Sequence, residues 1–183
     1  MNIMRRFIVV AHGSILEMLL VLSIIALAVQ LSWPAVTCWW QLPRPGQTGI
    51  DRFESDAIAK TFIIHLPDTY RNEKSWPLVV FLHDSGERGH QPDKLHRVGP
   101  FTRQLQAVVA APQCLPSTGW QPKVVAEFIE QVASDYRIDR DRIYLIGYSM
   151  GAYGVWDTTA AYPERFAAVV PISGGGNPDG ATC

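Results

Sequence analysis

The sequence predicts an α/β fold with a mostly parallel sheet covered on both faces. Three observations lead there. Pro77 to Leu82, Gln106 to Ala111 and Phe166 to Ile172 are short, continuous apolar runs, as expected of strands buried on both sides. Val124 to Tyr136 has the three- and four-residue apolar spacing of an amphipathic helix and lies between two of those runs. Gly147-Tyr148-Ser149-Met150-Gly151 stands between a β-rich run and a helix-compatible one. Strands alternating with helices, with no internal repeat, argue for a parallel sheet with right-handed crossovers.

Bulk properties narrow the class. With 183 residues the chain has room for one ordinary domain and an appendage. Hydrophobic residues make up 48% and charged residues 18%, which is a globular composition. A net charge of -1 and the lack of any Lys/Arg run give no sign of nucleic-acid binding. Cys38, Cys114 and Cys183 are far apart and match no zinc spacing, so all three read as structurally neutral. No metal-ligand spacing and no phosphate-binding glycine loop is present, and the reading names no cofactor.

Residues 1 to 40 read as a signal or membrane-anchor segment. Arg5 and Arg6 precede a stretch, Met18 to Pro43, that carries no charge. As a signal peptide, its apolar core runs from Met18 to about Ile25, and Ala26-Leu27-Ala28 supplies a small-x-small cleavage site. As an anchor, the helix continues to Trp33, with Trp33, Trp39 and Trp40 at the far interface. A buried core helix is the third reading. Either of the first two carries the remainder out of the cytoplasm, as a membrane-anchored, secreted or periplasmic protein.

Residues 41 to 59 hold Pro43, Pro45, Gly46 and Gly49 and read as a linker. The domain proper is expected from 60 to 183. Thr61 to Leu66 reads as its first strand, ended by Pro67-Asp68, and Pro77 to Leu82 as the second. Asp84 to Thr102 reads as loop, with a helical turn near Pro92 to Val98. Gln106 to Ala111, closed by Pro112, is the next strand. On the Val124 to Tyr136 helix, Val125, Phe128, Ile129, Val132 and Tyr136 face inward, and Glu127, Glu130 and Gln131 outward. Ile143 to Ile146 then leads into the glycine-serine turn, the helix Ala152 to Ala161 stops at Pro163, and Phe166 to Ile172 is the last strand.

The turn carries the chemistry. A serine in G-x-S-x-G between strand and helix sits on a sharp turn that lifts its hydroxyl clear of the sheet. The glycines are there because side chains would collide with the neighbouring strand and helix. Met150, at the helix N-terminus, offers an N–H to a developing oxyanion. Ser149 is therefore the candidate nucleophile. A plain βα turn is the bland alternative.

The motifs Leu82-His83-Asp84-Ser85-Gly86-Glu87-Arg88-Gly89, Ala111-Pro112-Gln113-Cys114, Asp139-Arg140-Asp141-Arg142-Ile143-Tyr144, Gly147-Tyr148-Ser149-Met150-Gly151 and Pro171-Ile172-Ser173-Gly174-Gly175-Gly176 occur in this order. Together they resemble the α/β-hydrolase esterases of the phospholipase/carboxylesterase and polyhydroxybutyrate-depolymerase-like group, over about Lys60 to Pro178. The resemblance implies an α/β-hydrolase fold, C-terminally incomplete, and hydrolysis of a small-molecule or polymer-linked ester. Ser149 would attack the acyl carbon, and the oxyanion would rest on the N–H groups of Met150 and Ser85.

Two features depart from that pattern. Asp84 stands where the family reads glycine, which brings a carboxylate towards the oxyanion loop unless the side chain points outward. All five histidines, His12, His65, His83, His90 and His96, precede Ser149, whereas the family's base follows it. The chain thus reads as an N-terminal fragment, and as written it is not expected to turn over esters at family-like rates. Asp179 is a displaced candidate acid, and Asp157 reads as a packing or solvated residue. His83 reads as a buttress of the loop rather than a base, Glu87 and Arg88 as an ion pair holding it, and Trp120 as packing or cleft lining. A non-catalytic binding module and a peptidase of the same fold remain as alternatives.

Overall fold

The computed structural model describes residues 43–53, 55–95, 98 and 105–176. Over these residues six strands form one sheet: β1 (Thr48–Arg52), β2 (Thr61–His65), β3 (Trp76–Leu82), β4 (Val108–Ala111), β5 (Ile138–Tyr148) and β6 (Ala168–Ile172). Their order across the sheet is β1-β2-β4-β3-β5-β6. The last four neighbours in that order are mutually parallel, while β2 runs antiparallel to β4 and β1 antiparallel to β2. The sheet is mostly parallel, as the apolar runs predict.

Burial explains the runs of β3 and β4, but β6 differs: at the edge of the described sheet and paired only with β5, it alternates between exposed and half-buried residues, and Val170 and Ile172 are exposed. Leu78, Val80 and Leu82 of β3 face one core, and Val79 and Phe81 face a second core on the opposite side. The first core is closed by α1 (Pro122–Asp135) and α2 (Met150–Ala161). The second packs Leu95, Val98 and Ala107 against Ile63, Val79, Phe81, Val109 and Ala111. A strand covered on both faces has no polar side to display, so alternation is lost.

Helix α1 begins at Pro122, whose missing N–H would be unsatisfied in a first turn anyway. It buries Val125, Phe128, Ile129 and Val132, all on the face expected from their spacing. The Phe128 ring meets Phe62 and Phe53 edge-on, at centroid distances of 4.9 and 5.3 Å. Helix α2 has a different logic. It buries Gly151, Ala152, Gly154, Val155 and Thr158, small residues that let its backbone approach the sheet closely. A side chain at Gly154 would strike Trp120.

Two further segments differ from expectation. Residues 41 to 59 are not only a linker: β1 lies within them, and Phe53, Ala57, Ile58 and Ala59 are buried. As an edge strand paired on one side only, β1 alternates between exposed and half-buried residues and has a weak apolar signature. The turn residues Pro43, Pro45, Gly46 and Gly49 conceal it. Strand β5 is also longer than expected, because the polar Ile138 to Arg142 stretch extends it, with a register shift opposite Trp76 and Leu78. The expected segment 1–40 lies outside the described residues. Among those described, no helix is long and apolar enough to cross a membrane.

Candidate active site

Ser149 occupies the turn between β5 and α2, at the carboxyl end of the parallel strands. Its backbone has φ 51° and ψ −110°, a conformation L residues rarely adopt and that surrounding structure must hold in place. Three contacts do so. The Ser149 N–H donates to the Ile172 carbonyl at 2.8 Å, tying the turn to β6. The Ser149 carbonyl accepts from the Ala152 N–H at 2.9 Å, starting the helix. The chain after β6 then crosses the turn, where a Cβ on Gly174 would lie 2.7 Å from the Ser149 carbonyl oxygen.

The flanking glycines are required by space. A Cβ on Gly147 would run into the Gly151 carbonyl, and a Cβ on Gly151 into the Leu82 carbonyl of β3. The second collision shows how near the start of α2 lies to the loop that follows β3, since the His83 carbonyl is only 3.0 Å from the same point.

That loop opens with Asp84, followed by a 3-10 turn over Ser85–Glu87. Asp84 is in extended backbone, which any residue adopts, so the absence of glycine there brings no strain. Its carboxylate neither points away nor lies idle, because Oδ1 accepts the Gly86 N–H at 2.7 Å and caps the turn. The remaining donors can be followed one by one. Glu87 N–H goes to the Asp84 carbonyl and Gly89 N–H to the Cys114 carbonyl. The N–H groups of Ser85 and Arg88 have no acceptor among the described residues, nor has that of Met150.

Beneath the loop His83 is fully buried. Its Nδ1 lies 2.6 Å from the Asp84 carbonyl and its Nε2 2.9 Å from the Cys114 N–H. A carbonyl only accepts and an N–H only donates, so Nδ1 carries the proton and Nε2 the lone pair. Burial holds the His83 pKa below its ordinary value of 6.5, against the opposing effects of the Asp84 carbonyl and the Glu87 and Asp84 charges. With both nitrogens occupied, His83 is a buttress. Trp120 is a packing residue of the same assembly: it is buried, donates from Nε1 to the His83 carbonyl at 3.0 Å and meets the imidazole edge-on at 4.9 Å. The Cys114 thiol is buried and pushed up to about 12, mainly by desolvation, which makes it a poor nucleophile.

The expected ion pair between Glu87 and Arg88 does not form. Arg88 instead reaches across the loop, placing Nη2 2.9 Å from the Met150 sulfur. The Glu87 carbonyl accepts from the buried Gln113 side chain at 2.8 Å. Both contacts escaped sequence reading because their partners are far along the chain. The Ala111-Pro112-Gln113-Cys114 motif contains the partner of the second contact only.

No histidine bonds to Ser149 Oγ among the described residues. His65 sits at the far side of β4 with Nδ1 3.1 Å from Thr48 Oγ1, and His90 is exposed on the loop. His12, His96, Asp179, Cys38 and Cys183 lie outside the described residues. No group of three metal-ligating side chains occurs among those described.

Comparison with known proteins follows the same lines. No family model matches the sequence. Over 51 residues the chain is 33% identical to poly(3-hydroxyalkanoate) depolymerase C of Paucimonas lemoignei, covering 28% of this chain and 12% of that protein. The solved structure of a thermostable esterase superposes with a TM-score of 0.55 at 31% identity, over 65% of this chain and 38% of that one. A fluorophosphonate-binding serine hydrolase of Staphylococcus aureus, FphF, gives 0.58 at 16% identity, over 71% of this chain and 58% of that one. The chain therefore spans less than two thirds of each of these proteins. Its mostly parallel sheet, its strand–turn–helix at Ser149 and these likenesses agree on one conclusion: the described domain has the α/β-hydrolase fold, and the solved chains that resemble it are esterases and serine hydrolases.

Proposed function

We propose that this protein is a carboxylic-ester hydrolase whose nucleophile is Ser149. The observation that carries the reading is the Ser149 backbone, held at φ 51° between a parallel strand and the helix it starts. A binding module has no use for such a conformation at a serine, whereas a nucleophile gains exposure at the sheet's edge and a helix N-terminus beside it. In the reaction the Ser149 Oγ–C bond forms at the acyl carbon as the Oγ proton leaves to a base. The carbonyl oxygen takes the negative charge and rests on the N–H groups of Ser85 and Met150, and the alcohol then departs with a proton. The similarity to an esterase at 31% identity supports ester rather than amide substrates, and the likeness to a depolymerase admits polymer-linked esters beside small ones. The alternative reading is a non-catalytic binding module that keeps the fold.

Acylation separates the two readings. The full chain is treated with p-nitrophenyl acetate, with and without imidazole as an exogenous base, and the acetyl group is located by mass spectrometry. The expected result is imidazole-dependent acetylation at Ser149, close to one equivalent and absent from Ser149→Ala, with little turnover beyond it. Acetyl groups scattered over lysines, with Ser149 unmodified, would favour the non-catalytic module.

We further propose that the protein leaves the cytoplasm, from the charge-free stretch after Arg5 and Arg6. On fractionation the protein should be found with membranes or beyond them. Full-length chain recovered from the cytosol with Met1 retained would count against export.

A further inference from the structure

We infer that Arg88 and the pocket beside it bind a carboxylate carried by the ester substrate, an assignment that rests on Ser149 being the nucleophile. The pocket has a volume of about 490 Å³ and opens where the loop after β3 meets the end of β4. Its polar wall is formed by Arg88, His90, Gln91, Lys94 and Gln113, with Glu87 as the one acid among the described lining residues. It thus lies outside the carboxyl ends of two parallel strands, where ligands of open α/β sheets bind.

Arg88 is the residue that sets this pocket apart. The other arginines described with ion pairs, Arg140, Arg142 and Arg165, hold carboxylates at 2.6 to 2.8 Å. Arg88 is exposed and has no carboxylate partner among the described residues. Its guanidinium rests on the Met150 sulfur, a weak acceptor, and most of its five donors have no acceptor among the described residues. Met150 directly follows Ser149. Arg88 thus touches the residue next to the proposed nucleophile, and its guanidinium suits bidentate binding of a carboxylate. Lys94 adds a second cation on the same wall.

The wall is also fixed before any ligand arrives. The buried Gln113 amide holds the Glu87 carbonyl at 2.8 Å, and the Gly89 N–H holds the Cys114 carbonyl at 2.9 Å. A preformed site loses less on binding than one ordered by its ligand. The ligand class is therefore a half ester, one ionised carboxylate joined by a short chain to the ester bond.

The test is calorimetric titration of the full chain at low salt with three probes. Monomethyl glutarate carries its carboxylate on the acyl side, 3-acetoxypropionate carries it on the alcohol side, and dimethyl glutarate is neutral. One of the two anionic probes should bind at least about tenfold tighter than the diester, and which one tells the side of the ester that faces Arg88. Arg88→Gln should abolish that preference, and Arg88→Lys should keep part of it through its point charge. Equal binding of all three probes, or a preference that survives in Arg88→Gln, overturns the assignment. An Arg88-dependent preference without acetylation of Ser149 would leave a carboxylate pocket and remove the nucleophile. Acetylation without the preference would do the reverse.

Discussion

Gly151→Ala should destabilise the domain by about 3 kcal/mol or more, because the added Cβ meets backbone rather than a side chain that can turn aside. The Leu82 carbonyl blocks the position, and Leu82 is the last residue of β3 in the middle of the sheet. Relief would require moving α2 away from β3, which would open the first core around Leu82 and Val155. Urea unfolding should show a midpoint well below that of the wild type. Gly119→Ala serves as the control, since nothing lies within 4 Å of its Cβ position, and it should change stability by no more than about 0.5 kcal/mol. Equal midpoints for the two variants would mean that strand and helix are not in contact at Gly151.

His83→Leu should cost about 2 to 4 kcal/mol near pH 8, and less in mild acid. The buried Cys114 N–H and Asp84 carbonyl would both lose their partner. The pH dependence follows from linkage. In the unfolded chain this histidine titrates at its ordinary 6.5, while in the fold its pKa is lowered, chiefly by desolvation. Its contribution is fully present above about pH 6.5 and is lost as the pH falls towards the folded value. The slope is at most about 1.4 kcal/mol per pH unit. His65 is lowered in the same direction by burial, opposed by Asp68, and adds to the trend. The wild type should therefore weaken below pH 6.5, and the gap to His83→Leu should narrow. A gap that widens in acid would mean that His83 is charged in the fold.

How far the sequence could be read depended on whether the signal was local. The strand–turn–helix around Ser149 was legible because every requirement lies within a few residues: an apolar run, two glycines and a helix that starts at once. The α1 face was legible for the same reason, since its period is internal to the segment. Strand β1 was not, because an edge strand needs few apolar residues and its neighbours Pro45, Gly46 and Gly49 signal turns. The role of Asp84 was equally out of reach. Whether its carboxylate opposes an oxyanion or caps a turn depends on a rotamer, and the structure gives the cap at Gly86. Sequence proximity pairs Arg88 with Glu87, yet its contact is with Met150, across the loop and far along the chain.

The hydrogen bond from Ser149 to Ile172 has a consequence for the order of folding. Strand β6 is synthesised after the serine and its helix, and it supplies the carbonyl that fixes the serine's backbone. Until Ala168 to Gly174 have docked, only the Ala152 N–H on its carbonyl helps to hold residue 149 in a conformation that an L residue would otherwise leave. The backbone geometry of Ser149 is therefore completed only when β6 joins the sheet. A nascent chain that has not yet reached residue 172 lacks the carbonyl that accepts the Ser149 N–H.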